Sequence, residues 1–398
     1  MGLINMRKRV IAGIVFGGVL MVLLLSACSL DGPVSELRKR ASGTGGSGTS
    51  GNNPVGDDPG VTRAFGPVVS IAVGSARLAI KDDGSLWTWG WNLQGALGDG
   101  TYTDRYSPVK IGTDTNWAFV AGSIYSMGMK KDGSLWAWGV NSAGSLGDGT
   151  NTDKNYPVRV GTDTNWACFS AGGQYGLAIK KDGSLWAWGV NDLGQLGDGT
   201  NIDRNIPVRI GIESTWDLIS AGQYHSIATK KDGSLWAWGR NDQGQLGDGT
   251  TTNRNTPVRI GIDTDWASIS TGSADNLAIK KDGSLWAWGW NSPGTYIPVR
   301  IGTDTNWALV AAGNSHNLAI KDDGSLWAWG LNSSGALGDG ANNYRYSPVR
   351  VGTDTDWVLV AAGECSLGIK KDGSLWAWGS TRLGDSTASW NVPVRVTY

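Results

Sequence analysis

The chain has 398 residues, with 61 glycines, 23 tryptophans, two histidines and a formal net charge of −1. That glycine and tryptophan usage is far above the ordinary and excludes an all-helical protein. The near-balanced charge excludes a basic body that holds nucleic acid electrostatically, and two histidines cannot supply a compact zinc site unaided.

The first 28 residues read as a targeting segment. Arg7, Lys8 and Arg9 precede an apolar run over 10–25, and Leu25-Ser26-Ala27-Cys28 follows. A basic end, an apolar core and small residues before a cut describe a secretory signal. The run of about 16 residues falls short of the roughly 20 that span a bilayer as a helix. Leu-Ser-Ala-Cys resembles a bacterial lipobox, which implies a signal peptide over 1–27 and a lipid on Cys28 that anchors the mature chain to a membrane. Ser29 stands where sorting rules put an aspartate in lipoproteins kept at an inner membrane, so the outer membrane or cell surface is expected. Loss of the three basic signal residues takes the net charge from −1 to −4. Residues 28–62 are rich in Gly, Ser, Thr, Asn and Asp and have little to bury. They read as a flexible tether with a reach of about 30 Å.

Beyond the tether one phrase recurs. KKDGSLWAWG begins at Lys130, Lys180, Lys230, Lys280 and Lys370, with near copies at Lys81 and Lys321. The shared glycine of each copy, from Gly84 to Gly373, is spaced 49, 50, 50, 50, 41 and 49 residues from the next. Within one unit, Trp307 to Ala312 and His316 to Lys321 are short apolar runs, Asp323-Gly324 turns the chain into Leu326 to Gly330, and Pro348 to Val351 is a fourth run. Asp-Gly between apolar runs is a hairpin signal, and no helical period appears. The expectation over 63–398 is an all-β seven-bladed β-propeller of four-stranded antiparallel blades. Alternation puts Trp136 and Trp138 on one face of a blade and Leu135 and Ala137 on the other, so a large face meets a small one between blades. Pro67-Val68 either adds a strand to the last blade or leads into the first.

Ser220-Ala221-Gly222-Gln223-Tyr224-His225, and Ala311-Ala312-Gly313-Asn314-Ser315-His316, precede an apolar strand, and Gly239-Arg240-Asn241-Asp242-Gln243-Gly244-Gln245-Leu246-Gly247 follows another. These patterns resemble the regulator of chromosome condensation repeat family, over about 61–398. The resemblance implies the seven-bladed propeller and says little about function. The family's founder activates a nuclear GTPase on chromatin, a role an exported protein is not expected to share; other bacterial members look like exported proteins that bind a protein through one propeller face. The chain departs from the signature: the histidine position holds Ala76, Tyr125, Tyr175, Asp275 and Cys365 in the other copies, repeat five lacks most of the Gly-Gln-Leu-Gly-Asp-Gly-Thr stretch, and repeat seven is abbreviated.

Function is expected where the copies differ. The KKDGS turns and GTDTNW connections of one face are nearly uniform, whereas the other two connections vary. Variable side chains on a repeated frame build asymmetric binding surfaces. The candidate partner-binding residues are Tyr125, Tyr175, Tyr224, His225, Asp275, His316, Trp91, Arg240 and Trp290. The ligand is expected to be a protein; a glycan stacked on Trp91 and Trp290, or a purely structural envelope role, are the alternatives. The recurring Gly-Asp-Gly-Thr offers one carboxylate per copy and reads as turn chemistry rather than calcium binding. No phosphate loop or nucleophile elbow is present, so neither catalysis nor a cofactor is expected.

Overall fold

The computed structural model describes residues 65–290, 296–380 and 389–397; the expected signal segment, Cys28 and the tether lie outside them. Among the described residues, 28 strands form seven four-stranded sheets, each in sequence order. The blades span 68–110, 117–159, 166–210, 216–260, 266–300, 307–351 and 357–395.

The repeated phrase is a turn followed by a strand. Gly133 sits at φ 80°, which glycine adopts without strain. Asp132 Oδ1 accepts from the Ser134 amide at 2.9 Å and the Ser134 hydroxyl at 2.6 Å, and Ser134 Oγ accepts from Trp136 Nε1 at 2.9 Å. Aspartate, glycine, serine and the first tryptophan are therefore one hydrogen-bonded device, which is why they recur together.

Alternation then assembles the ring. Trp117, Trp136 and Trp138 of blade 2 pack onto Leu78, Ile80, Leu86 and Leu97 of blade 1. Leu135 and Ala137, from the opposite face of the same strand, meet Trp166, Trp186 and Trp188 of blade 3. Trp117 stands edge-on to Trp138 with ring centroids 6.0 Å apart. Trp138 Nε1 donates to the Ala96 carbonyl of blade 1 at 2.9 Å. An indole so placed removes about 150–250 Å² from water, at most about 4–6 kcal/mol of hydrophobic stabilisation. The lysine that ends each second strand caps this stack: Lys180 Nζ lies 3.7 Å from the Trp186 ring and 2.8 Å from the Asp163 carboxylate.

Ring closure is settled by the first strand. Val68–Val73 pairs with Ala76–Lys81 as the innermost strand of blade 1, so Pro67-Val68 leads into the first blade. This blade has no tryptophan before its first strand. Phe65 takes the place, edge-on to Trp87 at 5.5 Å and to Trp89 at 6.2 Å, in one cluster with Leu367 and Ile369 of blade 7. The Val68 amide donates to the Gly373 carbonyl of blade 7 at 2.9 Å. Each blade comes from one continuous stretch of chain, so no sheet is shared across the seam; side-chain packing, the Val68–Gly373 backbone bond and a bond from the Arg77 guanidinium to the Ser380 carbonyl at 3.0 Å hold it.

Candidate functional site

The first–second and third–fourth connections share one face: Ser145, on a third–fourth connection, donates from its hydroxyl to the carbonyl of Gln174, on the next blade's first–second connection, at 3.0 Å. At the centre of this face the seven first–second connections surround a cavity of about 310 Å³. Its polar lining includes Ser75, Ser123, Gln174, Gln223, Asn314 and Glu364. Glu364 is the only carboxylate among the described lining residues, and it lies 3.8 Å from the buried Arg77 guanidinium at the seam between blades 7 and 1.

Four of the nine candidates do not reach this face. Tyr125, Tyr175, His225 and His316 are buried. Each opens the second strand of its blade and projects between blades, where it ties to the next one. Tyr125 Oη donates to the Tyr175 carbonyl at 2.5 Å, and Tyr175 Oη donates to the His225 carbonyl at 2.5 Å. His225 Nε2 lies 2.8 Å from Asn276 Oδ1, and His316 Nε2 lies 2.8 Å from Ser366 Oγ. Burial pushes both imidazoles down to about 4, and burial raises both phenols. At these four positions the signature column ties neighbouring blades together inside the ring, and the expectation that these four side chains contact a partner is corrected accordingly.

The other five lie at the surface or close to it. Tyr224 lines the cavity, and the Arg240 guanidinium sits 5.8 Å from its ring centroid. Arg240 also forms a two-pronged bond with Asp242, both contacts at 2.7 Å, which raises the guanidinium and holds the Asp242 carboxyl below its usual range. Trp91 and Trp290 are 42% and 65% exposed, and Asp275 is half-buried. The residues missed by sequence reasoning are those just before the buried column, such as Ile124, Gln174, Gln223 and Asn314. They vary from copy to copy as the column does, and that variation was the available signal.

The long third–fourth connections are tied down by side-chain hydrogen bonds. Asn141 is buried and donates through its amide to Asp148 Oδ1 and to the Thr150 and Thr152 carbonyls, each at 3.1 Å, while its Oδ1 accepts from the Leu146 amide at 2.9 Å. Burial pushes Asp198 up, but bonds from Thr200 and Arg204 outweigh it and hold the carboxyl below its usual range. Arg204 reaches that carboxylate at 2.8 Å. These aspartates are turn residues with bound cationic partners. Among the described residues no cluster of three or more His, Cys, Asp or Glu side chains is placed to hold a metal.

The family model for the RCC1-like domain matches residues 39–296, and those for the regulator of chromosome condensation (RCC1) repeat match 307–336 and 323–365. No curated protein matches. Among solved structures, human WBSCR16 is similar at a TM-score of 0.68 and 20% identity, over 76% of this chain and 85% of that one. Yeast RCC1 (Prp20) bound to Kap60 is similar at a TM-score of 0.66 and 24% identity, over 77% and 82%. Prp20p from Saccharomyces cerevisiae, solved in connection with its binding to Gsp1p and histones, gives 0.66 and 24% over 77% and 84%. At these identities the likeness carries the fold.

Proposed function

The chain belongs to the RCC1-like domain family, and from that premise we propose that it is a non-catalytic module that binds a protein partner through its variable face, exported and anchored to the outer membrane or cell surface through a lipid on Cys28. The observation that carries the reading is the contrast between the two faces. One repeats the same KKDGS and GTDTNW units around the ring, while the other carries Tyr224, Arg240 and Asp242 on blade 4, Trp290 on blade 5 and Trp91 on blade 1. Tyrosine, tryptophan and arginine are the usual anchors of protein interfaces. Glu364, the one carboxylate among the described residues lining the central cavity, lies 3.8 Å from the Arg77 guanidinium, and a charged group so placed can meet a polar group of a partner.

The entry of the chain supports the orientation. Pro67 accepts a backbone bond from Asp82, and Val68 donates to Gly373, so the chain joins the propeller beside the turns of the uniform face. A protein held by its N-terminus offers the variable face outward. The test is affinity capture with the soluble chain from Arg63 onward, eluted proteins and sugars being identified together. Arg240→Ala and Trp290→Ala are expected to weaken capture at least tenfold. Capture that both variants leave intact refutes the face, a glycan as the sole captured species refutes the protein partner, and a Cys28→Ser chain that stays with the membrane refutes the anchor.

A further inference from the structure

The seven first–second connections that line the central cavity spend their backbone donors on one another. In every blade one amide of the connection bonds the carbonyl that opens the second strand, from Gly74 to Ala76 at 2.8 Å in blade 1 round to Gly363 to Cys365 at 3.0 Å in blade 7. The next amide crosses to the neighbouring blade at three of the junctions: Ser75 donates to the Ser123 carbonyl at 2.6 Å, Gly173 to Gly222 at 3.1 Å and Asn314 to Gly363 at 3.3 Å. A backbone site for an anion needs amides that converge on it. Here those amides are committed within the ring.

The charges at the seam end of the cavity follow the same sense. Glu364 on blade 7 and Arg77 on blade 1 lie 3.8 Å apart, but the Arg77 side chain is 1% exposed and that of Glu364 48%. The guanidinium donates through Nη1 to the Ser75 carbonyl and through Nη2 to the Ser380 carbonyl, each at 3.0 Å. Its positive charge is therefore sealed behind the lining, whereas the carboxylate stands open. At 3.8 Å the two are beyond hydrogen-bond distance, and Glu364 accepts no hydrogen bond among the described residues. The bond from the Asn314 amide to the Gly363 carbonyl sets Asn314, an exposed residue of blade 6, on the other side of Glu364 from Arg77. Its side-chain amide supplies a further acceptor oxygen. The volume, about 310 Å³, lies at the small end of ligand pockets and suits one long side chain, not a folded segment.

We infer that the Glu364 corner of the central cavity receives a cationic side chain, lysine or arginine, from the protein partner. The ammonium or guanidinium donates to the Glu364 carboxylate and to the Asn314 side-chain oxygen, while its alkyl stem occupies the cavity. An open carboxylate with no hydrogen bond of its own, beside a cation that is already saturated by carbonyls, selects a positive guest and rejects a negative one. The inference rests on the protein-binding reading above and names the chemistry of the segment that the variable face takes in.

The probe is a terminally blocked peptide with one lysine between glycines, titrated into the full chain by isothermal calorimetry at low ionic strength. Parallel peptides carry arginine, norleucine or glutamate in place of the lysine. Saturable binding of the lysine or the arginine peptide is expected, and the tighter of the two names the side chain; the norleucine and glutamate peptides are expected not to bind. Glu364→Gln keeps the shape, removes the charge and is expected to weaken binding at least tenfold. Asn314→Asp sets a second carboxylate beside the first and is expected to strengthen binding at least threefold, which a merely structural Glu364 would not produce. Near-UV circular dichroism matching the parent shows that each variant is folded, and Asn314→Asp and the norleucine peptide carry the test if Glu364→Gln is not. The absence of binding of both cationic peptides to the parent, equal binding of the norleucine peptide, or binding that the folded variants leave unchanged overturns the inference. Capture of a protein partner is scored separately. Capture that is undiminished in folded Glu364→Gln overturns the inference and leaves the protein-binding reading standing, whereas binding of a cationic peptide with no protein captured counts against that reading alone.

Discussion

The Tyr175 hydroxyl donates to the His225 carbonyl across the junction of blades 3 and 4, at 2.5 Å. The Ser226 hydroxyl donates in turn to Tyr175 Oη at 3.0 Å, so the phenol is held on both sides inside the ring. Tyr175→Phe deletes this bridge while keeping the ring. It removes one of two donors to the His225 carbonyl, which keeps the Gly222 amide at 2.8 Å, so the loss is that of one hydrogen bond, about 0.5–1.5 kcal/mol. Urea unfolding is the measurement, and Tyr125→Phe, which cuts the equivalent bond at the previous junction, is expected to fall in the same range. Wild-type stability in both variants would show that these two bonds contribute nothing.

The two buried imidazoles make stability depend on pH. Their folded values lie near 4, against an ordinary value of 6.5, because burial disfavours the charged form. Between those limits the unfolded chain binds more protons than the folded one, so stability falls as pH drops from about 6.5 to about 4 and is flat above that window. Each ring contributes at most about 3 kcal/mol of this loss at 1.36 kcal/mol per pKa step. His316→Gln is expected to flatten the slope of unfolding free energy against pH in that window, whatever it does to absolute stability. An unchanged slope would mean that the His316 ring is protonated in the folded ring.

Phe65 is the aromatic wedge of the seam, where no strand is shared between blades 7 and 1. Phe65→Ala removes its contacts with Trp87 and Trp89 and the ring beneath the Lys81 ammonium, which lies 4.4 Å from the Phe65 centroid. A cost of about 3–5 kcal/mol is expected, as for a large core aromatic. Hydrogen exchange is expected to rise first in Val68–Val73 and in the strands of blade 7. Loss of protection that is uniform around the ring would show that the seam is no weaker than any other junction.

What the sequence made legible was what the repeat makes periodic. Alternation in Leu135-Trp136-Ala137-Trp138 assigned faces correctly, because a blade must offer complementary surfaces to both neighbours. The seam was not legible, since Phe65 lies outside any repeated phrase and only its packing on Trp87 and Trp89 reveals its role. The buried positions of the signature column were misread for a physical reason: Tyr125, Tyr175 and His225 vary from copy to copy, and variation looks the same whether a side chain meets a partner or a neighbouring blade. Tyr125 and Tyr175 each pair with a main-chain carbonyl, which accepts from any donor of suitable reach. Variation at Gln174 and Gln223, one and two positions before the column, marks surface instead.

The two tryptophans of each phrase, although identical in sequence context, are not energetically equivalent. Trp238 is fully buried and donates to the Gln195 carbonyl of blade 3 at 2.9 Å, whereas Trp236 is half-buried and bonds Ser234 of its own turn. Trp238→Ala therefore opens a cavity between blades 3 and 4 and removes one of two donors to the Gln195 carbonyl, which keeps the Ser226 hydroxyl at 2.8 Å, for about 3–5 kcal/mol. Trp236→Ala, on a side chain that keeps part of its surface in water, is expected to cost clearly less. The Trp138→Ala and Trp188→Ala variants should match Trp238→Ala, because each of those indoles makes the same bond to the blade before it. Unfolding free energies of the four variants are the measurement. A loss at Trp236 equal to that at Trp238 would mean that indole area alone, and not the seating of one blade on the next, sets the stability of the ring.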